Sequence, residues 1–167
     1  MSSVAIAVLA ALAPTFGASA CGAAETTTEP SSQSGRLLSY HEEGGIGGPR
    51  PSLAVSKQAR ATLRLGGCRT SFGLGTRLWR RLRAALKGAD LGSVAGDYPP
   101  PNGSADMITY VIRSGGHEVS ISAAPEYEEV LAQLEPLLEV IGEVVVVGER
   151  RLPPGCSSNR TGGGGAL

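Results

Sequence analysis

Short stretches in which apolar and polar residues alternate fill the middle of the chain. A period of two residues is typical of strands that bury one face. In the stretch RATLRL, for example, Ala61, Leu63 and Leu65 occupy every second position. The pattern predicts five strands, two pairs of which form hairpins, over residues 36–42, 51–56, 60–65, 106–113 and 117–122.

Two longer segments repeat their apolar residues every three or four positions, which predicts amphipathic helices. The first has Thr76 as its expected N-cap and carries an apolar stripe that includes Leu82. The second begins at Pro125, and Pro136 is expected to kink or split it. Residues 142–150 fit either a further strand or a last helical turn, and four consecutive valines favour the strand.

The resulting order, β-β-β-α-β-β-α, predicts an α+β domain. We expect a single antiparallel sheet of about five strands, covered on one face by two helices. The domain is assigned to residues 37–150 of the 167-residue chain, which is enough for one hydrophobic core. The glycine-rich tail at residues 151–167 is predicted to be disordered.

The first twenty residues are apolar and uncharged, and they end in small residues before Cys21. This pattern predicts a signal peptide over residues 1–20. The sequence ASAC resembles a bacterial lipobox, but it has Ala18 where leucine is usual and no basic residue precedes it. Lipid attachment at Cys21 is favoured over ordinary secretion. We therefore expect an extracytoplasmic protein, anchored to the cell membrane or secreted, with residues 21–36 as a lipidated cysteine and flexible tether.

Two cysteines remain if Cys21 carries lipid, namely Cys68 and Cys156. An even number of cysteines in an oxidising compartment is compatible with a disulfide bond between them. The alternative is two unrelated thiols, and the sequence does not decide between the two.

Charge is distributed unevenly along the chain. Residues 36–89 carry 11 basic and 2 acidic side chains, whereas residues 90–149 carry 1 basic and 11 acidic side chains. One interpretation makes the first helix a patch for anionic lipid or nucleic acid. The favoured interpretation is that a basic and an acidic helix lie side by side and screen each other, so no nucleic acid partner is expected.

The stretch YHEEGGIGGPRP places a histidine and two carboxylates directly before four glycines, which raises the question of a metal, catalytic or phosphate-binding site. His41 and His117 are the only histidines and lack the spacing of metal ligands, so no metal is expected. The glycines lack the lysine and the following helix of a phosphate-binding loop. No nucleophile motif occurs elsewhere, which predicts a protein that is not an enzyme, with no catalytic residues and no cofactor. The stretch is therefore predicted to be a turn with Ile46 as an apolar plug or exposed tip.

Several of these pieces together resemble the emfourin-type domain, which is named for a bacterial protein inhibitor of thermolysin-like metallopeptidases. The resemblance covers residues 37–141 and is carried by the strand that ends in YHEEGGIGG, by the hairpin into RATLRL, by the helix LWRRLRAALKGADL and by the spacing of Asp106 and Tyr110 in DMITYVIR.

The resemblance implies an inhibitor or binding module, expected to be a monomer, whose partner is a secreted metallopeptidase. The implied contact loop contains His41, Glu42, Glu43, Gly44, Gly45, Ile46 and Gly47. In this reading Glu42 or Glu43 reaches the zinc of the partner and Ile46 enters a hydrophobic subsite. The alternative is a surface-binding or structural lipoprotein that keeps the scaffold without inhibitory activity.

Overall fold

A computed structural model describes residues 35–102, 104 and 106–156. The predicted signal peptide, Cys21, most of the predicted tether and tail residues 157–167 lie outside this part of the chain. The helices and strands are β1 (Arg36–Gly44), β2 (Ser52–Ser56), β3 (Arg60–Leu65), β4 (Cys68–Gly73), α1 (Thr76–Gly88), β5 (Gly96–Tyr98), β6 (Ile108–Ser114), β7 (His117–Ser122) and α2 (Glu128–Glu149). A 3₁₀ turn at Pro125–Tyr127 leads into α2.

The predicted α+β class with two helices is confirmed, but the sheet is larger than predicted and is mixed. It has seven strands in the order β4-β3-β2-β1-β6-β7-β5. All neighbours pair antiparallel except β5 and β7, which are parallel. The prediction of about five antiparallel strands was therefore wrong in both number and direction.

The two additional strands, β4 and β5, lie in segments whose sequence pattern predicts connections. β4 pairs with β3 along its whole length through a tight turn at Gly66 and Gly67, both with positive φ. Its only buried side chain is that of Phe72, so the stretch shows no apolar alternation. β5 has three residues and lies in a segment rich in glycine and proline, where periodicity carries no signal.

The hydrophobic core lies between one face of the sheet and the two helices. Tyr40 pairs across the strands with Leu53 on one side and with Ile112 on the other, and all three side chains are buried. Cross-strand partners point to the same face, so these residues define the covered face. The helices contribute buried side chains from one stripe each, which include those of Leu82, Leu134, Leu137, Ile141 and Val144.

The helices pack against each other as an antiparallel pair. Arg81 of α1 donates to Glu143 near the end of α2 at 2.6 Å, and Gln133 near the start of α2 donates to the carbonyl of Ala89 at 2.9 Å. At Gly148 helix α2 approaches the sheet closely, because a Cβ there would lie 2.7 Å from Leu63. Glycine at this position therefore sets the distance between α2 and β3.

Three details of the helices differ from the prediction. Helix α1 begins at Thr76 itself, with Gly75 as the N-cap and no side-chain cap hydrogen bond. Helix α2 is not split at Pro136, and it includes residues 143–149, so the strand predicted for the valine run was wrong. Val144 and Val145 are buried at helical spacing after Val140 and Ile141, and this packing overrides the β-propensity of valine.

We call the two ends of the sheet the entry end and the loop end. The entry end contains Arg36, where the described chain begins its first strand, and the turns at residues 57–59 and 115–116. The loop end contains the glycine loop at residues 44–48, the turn at residues 66–67 and Cys68. β1 joins the ends, and its nine residues span about 30 Å.

Cys68 at the loop end is joined to Cys156 by a disulfide bond. The bond closes a loop over a sequence separation of 88 residues and holds the segment after α2 to the edge strand β4. In the chain-entropy model a cross-link of this span stabilises the fold by on the order of 4 kcal/mol. Neither described helix is long and apolar enough to cross a membrane.

Candidate functional site

The glycine loop, residues 44–48, projects from the loop end and presents an exposed isoleucine. Gly44, Gly45, Gly47 and Gly48 all have positive φ, a conformation that glycine adopts without the penalty of a Cβ atom. Ile46 lies between the two glycine pairs and is 81% exposed. It is the more exposed of the two large hydrophobic side chains that are exposed among the described residues. Of the two roles considered for Ile46, the structure places it as an exposed tip.

Buried polar side chains support the base of the loop. Glu42 is on the covered face and only 8% exposed, and its Oε1 accepts a 2.7 Å hydrogen bond from the Tyr40 hydroxyl. Arg50, after the loop, donates from Nε to the Gly44 carbonyl at 3.0 Å, and its Nη1 lies 3.7 Å from Oε2 of Glu42. Arg50 thus ties both sides of the loop to a buried carboxylate.

The residues predicted to form the contact loop therefore divide by strand alternation. His41 and Glu43 point to the uncovered face of the sheet, where their side chains pair at 2.8 Å and Glu43 stays exposed. Glu42 points inward and is engaged by Tyr40 and Arg50, so it serves as a support rather than a contact. Glu43 and Ile46 are the members of the predicted set that have exposed side chains.

The supporting residues Tyr40 and Arg50 were not among the predicted site residues. The sequence pattern indicates only a strand position for Tyr40, and its place two residues before Glu42 is the one signal that both side chains share a face. A signal for Arg50 is that it is the first basic residue after the glycines, from which Pro49 separates it. Its contact with Glu42 depends on the turn geometry, which the sequence does not specify.

A groove of about 780 Å³ lies beside helix α2 and adjoins the loop support. Tyr110 connects the two features, since it is the cross-strand partner of Glu42, stacks on Tyr40 with ring centroids 6.4 Å apart, and lines the groove. The opposite wall is helix α2, with apolar and acidic side chains: Leu131, Leu138, Glu128, Glu135 and Glu139. The arrangement suits a segment that has apolar and basic side chains.

The two histidines are not brought together by the fold. His41 pairs in register with Val111 in the middle of β6, whereas His117 pairs with Ser114 at the entry end. Within residues 35–102, 104 and 106–156, no group of three or more His, Cys, Asp or Glu side chains is placed to hold a metal ion.

One ion pair on the uncovered face shifts the pKa values of its members. Arg113 donates from Nε and Nη2 to the two carboxylate oxygens of Glu118 at 2.7 and 2.8 Å. The hydrogen bond from Arg113 lowers the pKa of Glu118, and the same bond raises the pKa of Arg113. Both side chains are about half exposed, so the pair organises the surface more than it stabilises the fold.

Comparison with known proteins leaves the resemblance as a hypothesis. No protein-family model matches the sequence, and no curated protein matches it.

Proposed function

We propose that the protein is a non-enzymatic lipoprotein, anchored outside the cytoplasm through Cys21, that binds a partner protein with its glycine loop. The observation that carries this proposal is Ile46, 81% exposed at the tip of a loop that Arg50 ties to a buried carboxylate. A partner that buries this side chain gains about 1.5–3 kcal/mol of binding free energy.

The partner that we propose first is a secreted thermolysin-like metallopeptidase, in line with the emfourin-type resemblance of residues 37–141. In this proposal Ile46 enters an apolar subsite of the enzyme, and Glu43 is the carboxylate placed to approach its zinc, because it is exposed while Glu42 is buried. A loop whose conformation is fixed before binding loses little entropy in the complex, which favours tight inhibition.

The test is a titration of a thermolysin-like peptidase with the full chain carrying Cys21→Ser, followed with a small fluorogenic substrate. Inhibition that saturates near one equivalent and reverses on dilution is the expected result. No inhibition at large excess, with the chain shown to be folded by circular dichroism, would rule out the inhibitor function. Mass spectrometry of wild-type protein from bacterial membranes tests the anchor separately, since lipidation adds acyl mass to a peptide that begins at Cys21.

The groove beside α2 favours a second candidate, a binding lipoprotein without inhibitory activity. Three glutamates on α2 line the groove together with two leucines, so its walls combine negative charge with apolar surface. A segment with basic and apolar side chains is the complementary ligand. The substitution Glu135→Lys should weaken such binding and leave peptidase inhibition unchanged, which separates this candidate from the first.

A further inference from the structure

Helix α1 carries a basic stripe on the side that faces away from the core. Arg77, Arg80, Arg83 and Lys87 are exposed and lie opposite the buried Leu82, and α1 contains no acidic residue. The first two turns also hold Trp79, half-buried at the flank of the stripe, with the Arg83 guanidinium 5.9 Å from its ring centroid. A cluster of basic side chains on an exposed helix face is complementary in charge to an anionic lipid surface.

The acidic helix does not neutralise this stripe. The charge distribution along the chain predicts screening between α1 and α2, but the ion pairs between these two described helices involve Arg81 alone, at 2.6 Å from Glu143 and 3.8 Å from Glu139. Arg81 points toward α2, while the four residues of the stripe have no ion pair within the part of the chain that the structure describes. Asp90, just after α1, is the nearest acid along the chain.

The position of α1 places the stripe near the start of the domain. The segment before α1 is held at the entry end by the 2.8 Å hydrogen bond from Leu74 N–H to the Ala59 carbonyl. The segment after α1 returns to the same end, where Gly92 lies beside the imidazole of His117. Exposed Arg36, Lys57 and Arg60 are at this end too, so the basic surface extends from α1 to the entry end of the sheet.

We infer that the basic stripe of α1 rests on a bilayer of anionic phospholipid, with the entry end toward the membrane. This inference rests on the proposed lipid anchor, because Cys21 precedes the described domain by only fourteen residues, which reach at most about 50 Å. An anchor raises the effective concentration of the helix at the lipid surface, so weak electrostatic contacts suffice. The glycine loop, at the far end of β1, then faces away from the membrane.

The test uses the chain without its predicted signal peptide, residues 21–167, with Cys21→Ser, so that binding reports the domain surface and neither the lipid nor the apolar leader. Trp79 is the only tryptophan, and its emission is expected to shift to the blue with phosphatidylglycerol vesicles and not with phosphatidylcholine vesicles. The triple substitution Arg77→Gln, Arg80→Gln, Lys87→Gln should weaken binding about a hundred-fold, since each charge contributes roughly five-fold. Added salt should weaken wild-type binding.

A matched control removes three exposed positive charges elsewhere, by Arg64→Gln, Arg69→Gln and Arg150→Gln. This variant should bind phosphatidylglycerol vesicles nearly as well as the parent. Equal losses in both triple variants would overturn the inference, since they would show only a diffuse charge effect. Binding to a short DNA duplex that depends on the α1 stripe, with no binding to vesicles, would overturn it in favour of nucleic acid. Absence of lipid at Cys21 would contradict the proposed anchor. It would not change the vesicle experiment, which tests separately whether the α1 stripe binds anionic phospholipid.

Discussion

The Arg50 guanidinium donates a 3.0 Å hydrogen bond from Nε to the backbone carbonyl of Gly44, and so joins the two sides of the glycine loop. Its second contact, 3.7 Å to the carboxylate of Glu42, connects the loop to the covered face of the sheet. Glu42 in turn accepts the hydroxyl of Tyr40 at 2.7 Å. The Arg50 side chain thus holds the glycine loop in place, and Ile46 is exposed at the tip of that loop.

Replacing Arg50 with alanine should loosen the loop and destabilise the domain. Glu42 would lose a cationic partner while remaining buried, and only part of that loss is offset by the hydrogen bond from Tyr40, so the free energy of unfolding should fall by about 1–3 kcal/mol. Urea denaturation measures this loss, and hydrogen exchange of residues 44–48 measures the loosening. Arg50→Lys keeps the positive charge but lacks the planar guanidinium group, so its stability and its loop exchange should lie between those of the wild type and Arg50→Ala. Unchanged exchange in Arg50→Ala would contradict the role assigned to this side chain.

Two glycines of the loop allow the effect of backbone strain to be separated from the effect of a collision with Arg50. Gly45 and Gly47 both have positive φ, so alanine at either position is strained by about 1 kcal/mol or somewhat more. A Cβ at Gly45 would collide with the Arg50 guanidinium, whereas a Cβ at Gly47 would meet nothing. Gly45→Ala should therefore reduce partner binding and stability more than Gly47→Ala. Equal effects in denaturation and in binding assays would show that Arg50 does not hold the loop.

The close approach of α2 to the sheet predicts opposite signs for two glycine substitutions in the same helix. A Cβ at Gly148 would lie 2.7 Å from Leu63 and 2.8 Å from Phe72, while one at Gly142 would meet nothing within 4 Å. Overpacking in Gly148→Ala should lower the free energy of unfolding by about 1–3 kcal/mol. The higher helix propensity of alanine offsets part of this loss. Gly142→Ala should stabilise by up to about 1 kcal/mol. Thermal unfolding measures both, and stabilisation by Gly148→Ala would contradict the packing described.

The Arg113–Glu118 pair predicts a small dependence of stability on pH. The hydrogen bond from Arg113 lowers the pKa of Glu118 in the folded state. Because the pKa of Glu118 is lower in the folded state than its unfolded value of about 4.3, the pair stabilises the fold at pH values above the unfolded pKa. This stabilisation disappears as the pH falls through the pKa of the folded state. The difference in unfolding free energy between wild type and Arg113→Gln should therefore be present at neutral pH and shrink in acid below about pH 4. A difference that grows in acid would contradict the assignment.

The sequence was sufficient to predict the α+β class and most of the regular elements. Strands β3 and β7 have the predicted bounds, because their alternating apolar residues pack on one face. β4 escaped prediction since its side chains are mostly polar and exposed, and its place in the sheet depends on pairing with β3. The valine run at the end of α2 shows the limit of propensity, as helical packing on the core decides its conformation.

The candidate site was predicted in outline only. The glycines and the Ile46 tip follow from local chemistry, because positive φ and an isolated apolar residue can be inferred from neighbouring residues. The inward direction of Glu42 follows from strand alternation, once Tyr40 is known to face the core. The groove depends on how α2 lies over β6, which is a long-range relationship that the sequence pattern does not contain.

The most direct test of the central claim compares two substitutions that place aspartate at exposed apolar positions, Ile46→Asp in the glycine loop and Val146→Asp on α2. Each is titrated against a thermolysin-like peptidase in the full chain with Cys21→Ser. We expect Ile46→Asp to raise the inhibition constant at least about ten-fold, since it removes the binding free energy of one buried aliphatic side chain, and we expect Val146→Asp to inhibit like the parent. Equal inhibition by Ile46→Asp and the parent, with both folded, would show that the glycine loop is not the contact surface.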